Sequence, residues 1–515
     1  MASVTIAAFG TLDGLVLGGY LVLIVGAGLW FSRRRQEDTG DYFLAGRRIP
    51  SWVAAMSLMA TALSGATFIG VPAQAYGGNL TYLWSYVGQI IAAVIVATLF
   101  IPAFYRHNVS TVYQLLDVRC GPAARRSASA MFMVGRVLAS GARLYIAALA
   151  AAMVLFGSTA LGPVCAAIAL IAVIGIAYTI FGGIAAVVWT DVIQSCVFVA
   201  AVVIAIAVLL RLIPADSSQI MAALSEPLDE RGSKLTAFRS GFEGVGAKYS
   251  FTLLTALFGH SLIGLGAFGT DQDLTQRLLT CRTARQAGRA AVSGVLMTVP
   301  VAFAFLIVGL LLWVFYQRPD LMGSAAPVSP EQAKDVFITF ILHELPAGLG
   351  GLLIAGLLAA ALSSTNSELN AMSSTLICDF YRPLRPGRPE RHYLAAGRWG
   401  VALWGAALGG FAMLAAYWHA RSQDTLIEFA LGMMTFAYSG LVGVFLTVLL
   451  TRRGNTVSVI AAFAAGFLTV LVLQLLVASK RLDLAFPWQM TLATTLAFVV
   501  CWSGAPRQRG ALVTR

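Results

Sequence analysis

The chain has 515 residues, 58% of them hydrophobic and only 11% charged; a soluble domain carries about a quarter charged residues, so that class is excluded. The net charge of +12 does not read as a nucleic-acid footprint, because the arginines gather on alternate loops between apolar windows. They run from Arg33 to Arg35, Arg47, Arg48, Arg125 and Arg126 through Arg277 to Arg289, Arg382 to Arg391, Arg452 and Arg453, to Arg507 and Arg509.

Apolar windows of about twenty residues recur along the whole length, each sufficient to cross a hydrocarbon core of roughly 30 Å. Thirteen are expected. Asp216, Glu226, Asp229, Glu230, Asp320, Glu331, Asp335 and Asp424 fall in the loops opposite the basic ones. The positive-inside rule then makes the basic side cytoplasmic, with the N-terminus outside and the C-terminus inside a cell (inner or plasma) membrane. The first span, from about Leu12 to Phe31, lacks a basic leader and a small-residue cleavage site and reads as retained. Six cysteines occur singly, without metal-type spacing or a paired framework.

The second window, SWVAAMSLMATALSGATFIGVPAQAY, holds glycines and many small residues, as a helix prepared to break does. The third covers about Leu83 to Tyr105 and is followed by STVYQLLDVRCG, expected as a surface helix. The fourth, about Ala128 to Phe156, carries two arginines. The fifth and sixth flank the turn FGGIAAVVWTD, and a mixed-charge loop from about Pro214 to Lys248 divides the chain. The seventh, about Phe251 to Gly269, is again glycine-rich and leads into TDQDLTQRLLTCRTARQ, expected as an amphipathic helix on the cytoplasmic side. Counted from the second window, the two interruptible helices each open a group of five, the layout of an inverted repeat with substrate bound at mid-membrane. The reading is one transporter domain, with an extra helix at 11–32, repeats at 50–211 and 249–451, and two further helices at 455–505.

The ninth window contains AALSSTNSELNAMSS. Ser363, Ser364 and Ser367 stand at i, i+1 and i+4, so a helix crowds their oxygens on one face, and neutral oxygens suit a small hard cation such as sodium. The alternative is that these hydroxyls bond back to their own helix or ease helix packing. Asp191 lies a few residues inside a span, where a carboxylate is costly unless paired or hydrated; an anion at a helix N-terminus is the bland account. Arg136 and Arg143 are two helical turns apart on one face. They read either as a carboxylate clamp, through the guanidinium fork, or as partners of Glu368. His260 is a lone histidine on a glycine-rich helix, a packed residue or a solute contact.

These segments resemble the sodium:solute symporter family over nearly the whole chain. DYFLAGRRIPSWVAAMSLMATALSGATFIG is similar to its first core helix, YTIFGGIAAVVWTDVIQ to its fifth, TDQDLTQRLL to its signature after the sixth, and AALSSTNSELNAMSSTLICDFYRP to its eighth. The resemblance implies an all-α integral membrane fold of the leucine-transporter type, a five-plus-five inverted repeat with one helix before and two after. It also implies a sodium site built from the Ala60, Leu63 and Ala360 carbonyls with the Ser363 and Ser364 hydroxyls. A second sodium, or an ion relay, would use Asp191 with Ser363, Asn366 and Ser367, although Asn366 departs from the hydroxyl usual in that family.

Ser64, Thr67 and Gln89 are expected to face the solute, with Arg136, Arg143 and His260 as further candidates. The sugar carriers' polar groups are missing at Ala62, Thr67, Tyr86 and Gly264, and the proline carriers' acid is missing at Ala62. GVPAQAYGGNLTYLWSYVGQ instead is similar to the branch carrying iodide, monocarboxylates and vitamins. The expected function is sodium-coupled import of a small organic anion by alternating access, with sodium, the solute and membrane lipid as partners and no enzymatic step. Carriage of a neutral solute such as a sugar or proline, and a membrane sensor, are the alternatives. GAPRQRGALVTR at the C-terminus leaves no room for a signalling domain. An intramembrane enzyme would have only Asp191, Glu368 and His260 to work with, on separate helices.

Overall fold

A computed structural model describes residues 10–32, 39–229, 232–242, 246–323, 332–419 and 425–505. Arg33 to Arg35, Glu230, Glu331, Asp424, Arg507 and Arg509 of the charge pattern, and the C-terminal tail from 506, lie outside the described residues.

A backbone taken out of water must satisfy its own polar groups, so the apolar windows become helices. The order is α1 (Thr11–Ser32), α2 (Ser51–Ala62), α3 (Gly65–Gly77), α4 (Leu80–Arg106), α5 (Pro122–Phe156), α6 (Leu161–Ala177), α7 (Gly183–Leu212) and α8 (Leu253–Thr270). There follow α9 (Gln272–Leu279), α10 (Ala284–Gln317), α11 (Leu349–Thr375), α12 (Glu390–His419), α13 (Leu426–Leu450), α14 (Thr456–Ala478) and α15 (Phe486–Ser503). Among the described residues ten helices are long and apolar enough to cross a membrane, or eleven when α2 and α3 count as one broken span. Two of the thirteen expected windows fall short of that test. α6 is apolar but short, and α15 is an 18-residue helix that opens on Pro487, Trp488 and Gln489.

Both interruptible helices are interrupted. α2 and α3 meet at 58°, where Leu63 (φ −91°, ψ 89°) and Ser64 (φ −90°, ψ 176°) leave helical geometry. Gly65 then lies so close to α5 that an added Cβ would come 2.9 Å from that of Ala147, which fixes the start of α3. α8 ends at Asp271 (ψ 122°) after two stretches of widened, π-type turns, Ala256–His260 and Gly266–Thr270. Gly183 (φ 58°) makes the sharp turn between α6 and α7, a left-handed conformation that suits glycine.

The polar segment after α8 corrects one expectation. α9 does not lie on a water-facing surface: all eight of its residues are buried. Its side chains are partners for charges on the surrounding helices, so polarity there marks an internal ionic joint. Arg277, counted above among the charges of a basic loop, is wholly buried with it.

The core is formed by α11 and α13, each with 83% of its apolar window buried, whereas α1 and α14 bury 22% and 28% and leave most of that window on the outside of the helix assembly. α11 packs along α6 and α7, α10 along α2 and α3, and α5 against α12 and α13. At the far end of α3 the Lys234 ammonium donates to the Tyr76 and Gly78 carbonyls at 2.5 and 2.9 Å, satisfying the negative end of that half-helix.

The α5–α13 contact depends on a missing side chain, since a Cβ at Gly135 would come 1.9 Å from that of Ala437, while one at Gly410 on α12 would meet nothing within 4 Å. Gly135→Ala is expected to lower thermal stability in detergent, an overpacking effect of about 1–3 kcal/mol, and Gly410→Ala to leave it unchanged. Equal melting of the two variants by tryptophan fluorescence would contradict this packing.

Candidate cation and solute site

Breaking a helix inside a membrane strands carbonyls. The Leu63 N–H still reaches the Met59 carbonyl at 2.9 Å, and the next main-chain bond runs from the Thr67 N–H to the Ser64 carbonyl at 2.8 Å. Among the described residues no main-chain N–H reaches the carbonyls of Ala60, Thr61, Ala62 or Leu63 across the break. These four acceptors lie at a break that α11 reaches through Ser364, and they need donors or a cation.

α11 brings its hydroxyls to this point. Ser364 Oγ reaches the Thr61 carbonyl at 3.4 Å, a long bond that leaves the group available to an ion. Ser363 Oγ donates to Asp191 Oδ1 at 2.5 Å, and Ser57 Oγ of α2 donates to Asp191 Oδ2 at 2.5 Å. Asp191 is 0% exposed, so α7 presents its carboxylate to the interior at the crossing of α2 and α11. The other two members of the second set behave differently. Ser367 Oγ donates back to the carbonyls of Ser363 and Ser364 in its own helix, the latter at 3.1 Å. Asn366 accepts from Thr179 Oγ1, beyond the end of α6, at 3.2 Å. Both stay buried beside the site.

Asp191 is also the end of a buried ionic chain. Arg277 Nη2 lies 3.5 Å from Asp191, its Nε donates to Ser57 Oγ at 2.9 Å, and its Nη1 pairs with Asp273 at 2.8 Å. Asp273 in turn meets Arg136 Nη2, while Arg136 Nη1 is 3.0 Å from Asp271, which accepts from the Tyr438 hydroxyl at 2.5 Å. Glu368 stands 3.6 Å from Arg136 and 3.9 Å from Arg143. Three guanidinium groups and four carboxylates are thereby held together, which is how charges persist away from water. Ser57, Asp271, Asp273, Arg277 and Tyr438 were not singled out from the sequence. The i,i+4 pair Asp273 and Arg277, set against an earlier span that holds Arg136 and Arg143, was the available signal.

A cavity of about 80 Å³ opens beside the break, walled by Ser64, Thr67, Gln89 and Arg143 with Tyr82, Tyr86, Phe268, Thr298 and Met434. Arg143 Nη2 donates to Met434 Sδ at 3.0 Å, and its guanidinium borders the space. Arg136 does not line this cavity; its 2% exposure and its acidic partners place it in the ionic chain. His260 does not line it either: its Nε2 donates to the Ser250 carbonyl at 2.8 Å, and its ring stacks on Phe251.

A broken helix crossed by the hydroxyl-bearing α11, with a cavity beside the break, is an arrangement found in ion-coupled carriers. Comparison with known proteins gives the same account. The chain is 28% identical over 468 residues to a sodium/sialic acid symporter of Proteus mirabilis, covering 90% of this chain and 89% of the relative. It is 28% identical over 509 residues to one of Aliivibrio fischeri, covering 97% and 94%. A solved structure of a substrate-bound, outward-open, Na+-coupled sialic acid symporter superposes with a TM-score of 0.79 at 26% identity, covering 96% of this chain and 97% of that one. These relatives are transporters and not enzymes. The model of the sodium:solute symporter family matches residues 42–468, and the chain belongs to that family.

Proposed function

We propose that this multi-pass membrane protein imports a small carboxylate-bearing solute, driven by sodium moving inward through the site at the α2–α3 break. The observation that carries this reading is the break itself: among the described residues no main-chain N–H reaches the Ala60 or Leu63 carbonyl, and Ser364 Oγ of α11 reaches the neighbouring Thr61 carbonyl at 3.4 Å. The Ala60, Leu63 and Ala360 carbonyls and the two hydroxyls supply five neutral oxygens, a shell suited to a hard monovalent cation. Asp191, joined to Ser363 by one hydrogen bond, would hold a second sodium or take the first toward the cytoplasm, with Asn366 and Ser367 alongside.

Ser64, Thr67, Gln89 and Arg143 would bind the solute. The Arg143 fork at the wall matches a carboxylate. Sialic acid, named for the relatives above, is itself a carboxylic acid. Arg136 and Glu368 would serve the ionic chain, and His260 would pack the α8 end. Sodium draws α2, α3 and α11 together, and the solute then favours closure over the cavity; each ligand thereby raises the other's affinity. Thirteen spans, with repeats over 50–211 and 249–451, the N-terminus outside and the C-terminus cytoplasmic, complete the proposal.

Two measurements on proteoliposomes test it. Ser364→Ala is expected to raise the sodium concentration for half-maximal uptake by about tenfold or more, the loss of one ligand being worth about 1.5–3 kcal/mol, with the KM for solute at saturating sodium little changed. An unaltered sodium curve would contradict the assigned shell. Arg143→Lys keeps the charge and loses the fork, so the solute KM should rise about 10–100-fold while sodium dependence remains. A solute KM equal to wild type would remove Arg143 from the site.

A further inference from the structure

Two unlike sets of residues line the cavity beside the break. Ser64, Thr67, Gln89 and Arg143 bring polar groups, whereas α13 brings Ile427, Ala430, Leu431 and Met434, which recur at i, i+3, i+4 and i+7 and so form one apolar stripe of that helix. The single hetero atom among the side chains of that stripe is Met434 Sδ, and it accepts from Arg143 Nη2 at 3.0 Å. A thioether is a weak acceptor. Glu368 stands 3.9 Å from Arg143, in ionic range but outside hydrogen-bonding distance. The Arg143 side chain keeps 14% of its surface exposed, against 1% for Arg136, so it is the guanidinium that an entering molecule can reach. A charged donor held by a neutral sulfur, at the wall of a cavity, is a bond that a stronger acceptor can take over.

Resting on the carboxylate reading above, we infer that Met434 is a specificity-determining residue: its thioether competes with the solute's carboxylate for the same Arg143 donor, and the displaced side chain occupies room that the rest of the solute cannot use. The exchange is favourable because a charge-assisted bond is about twice as strong as a neutral one. Methionine suits the exchange for two reasons. Its unbranched chain turns about three bonds without moving α13, and its sulfur, once released, needs no other donor, unlike an amide or a hydroxyl. The γ-carbon, sulfur and methyl of Met434 remain at the wall of a cavity of about 80 Å³. The side chain therefore limits the bulk of the solute as well as its hold on Arg143.

The test is sodium-driven uptake by the full chain in proteoliposomes of carboxylates graded in bulk: acetate, butyrate, benzoate and N-acetylneuraminate. Met434→Ala removes bulk and sulfur together, and should raise kcat/KM for the larger acids about tenfold relative to the smallest acid carried, with half-saturating sodium unchanged. Met434→Gln keeps the length of the side chain and sets a stronger neutral acceptor before Arg143, one that a carboxylate displaces less readily. The solute KM should then rise about tenfold for every acid carried, with kcat retained. A size ratio unmoved in the alanine variant, or a KM unchanged or lowered in the glutamine variant, overturns the role of Met434 and leaves the carboxylate reading standing. A fall in kcat common to all acids, with ratio and KM kept, marks a packing role and overturns it as well. If the alanine variant does not fold, the glutamine variant decides. Uptake of none of these acids by wild type under a sodium gradient overturns the carboxylate reading and this inference together.

Discussion

A membrane helix that stops hydrogen-bonding to itself for one turn creates a demand that the bilayer cannot meet. At Leu63 and Ser64 this chain makes such an interruption and sets α11 across it. Among the described residues the carbonyls of Ala60, Ala62 and Leu63 receive no main-chain donor, Ser364 Oγ reaches the Thr61 carbonyl between them, and in the proposed reading a small cation satisfies these neutral oxygens. The positions of α3, the solute cavity and Arg143 all follow from where that break points.

The second constraint is charge. Arg136, Arg143, Arg277, Asp191, Asp271, Asp273 and Glu368 occupy α5, α7, α9, α11 and the cap before α9, with Ser57 of α2 and Tyr438 of α13 joined to them. Each group is tolerable away from water only while its neighbours stay close. The ionic chain therefore joins these elements to one another. It runs from Asp191, beside the helix break, to Arg143, which borders the cavity. Four carboxylates against three guanidinium groups leave one formal negative charge in this set, a bias toward receiving a cation.

Much of this was legible in the residues because membranes restrict what polar groups can do. The break near Ala60 followed from SGATFIG, and the contact of Glu368 with both arginines from the cost of charge in a span. What escaped was the segment TDQDLTQRLL. Its composition is that of a solvated helix, and periodicity carries no information on whether water or other charges surround it. Only the tertiary arrangement shows that Asp271 and Asp273 answer Arg136, and that Arg277 answers Asp191. For the same reason Arg136 and Arg143, equivalent by spacing, part company in three dimensions: one enters the ionic chain and the other borders the cavity. Ser367 shows a converse limit, since a hydroxyl on the expected face can bond to its own helix.

The central claim is that the break and the α11 hydroxyls together hold sodium. Equilibrium binding of radioactive sodium to the purified protein in detergent tests it most directly, comparing wild type with the Ser363→Ala, Ser364→Ala double variant after both are shown to be monodisperse. The account predicts saturable binding to wild type and loss of that binding in the double variant. Sodium binding of equal affinity in both proteins would contradict it.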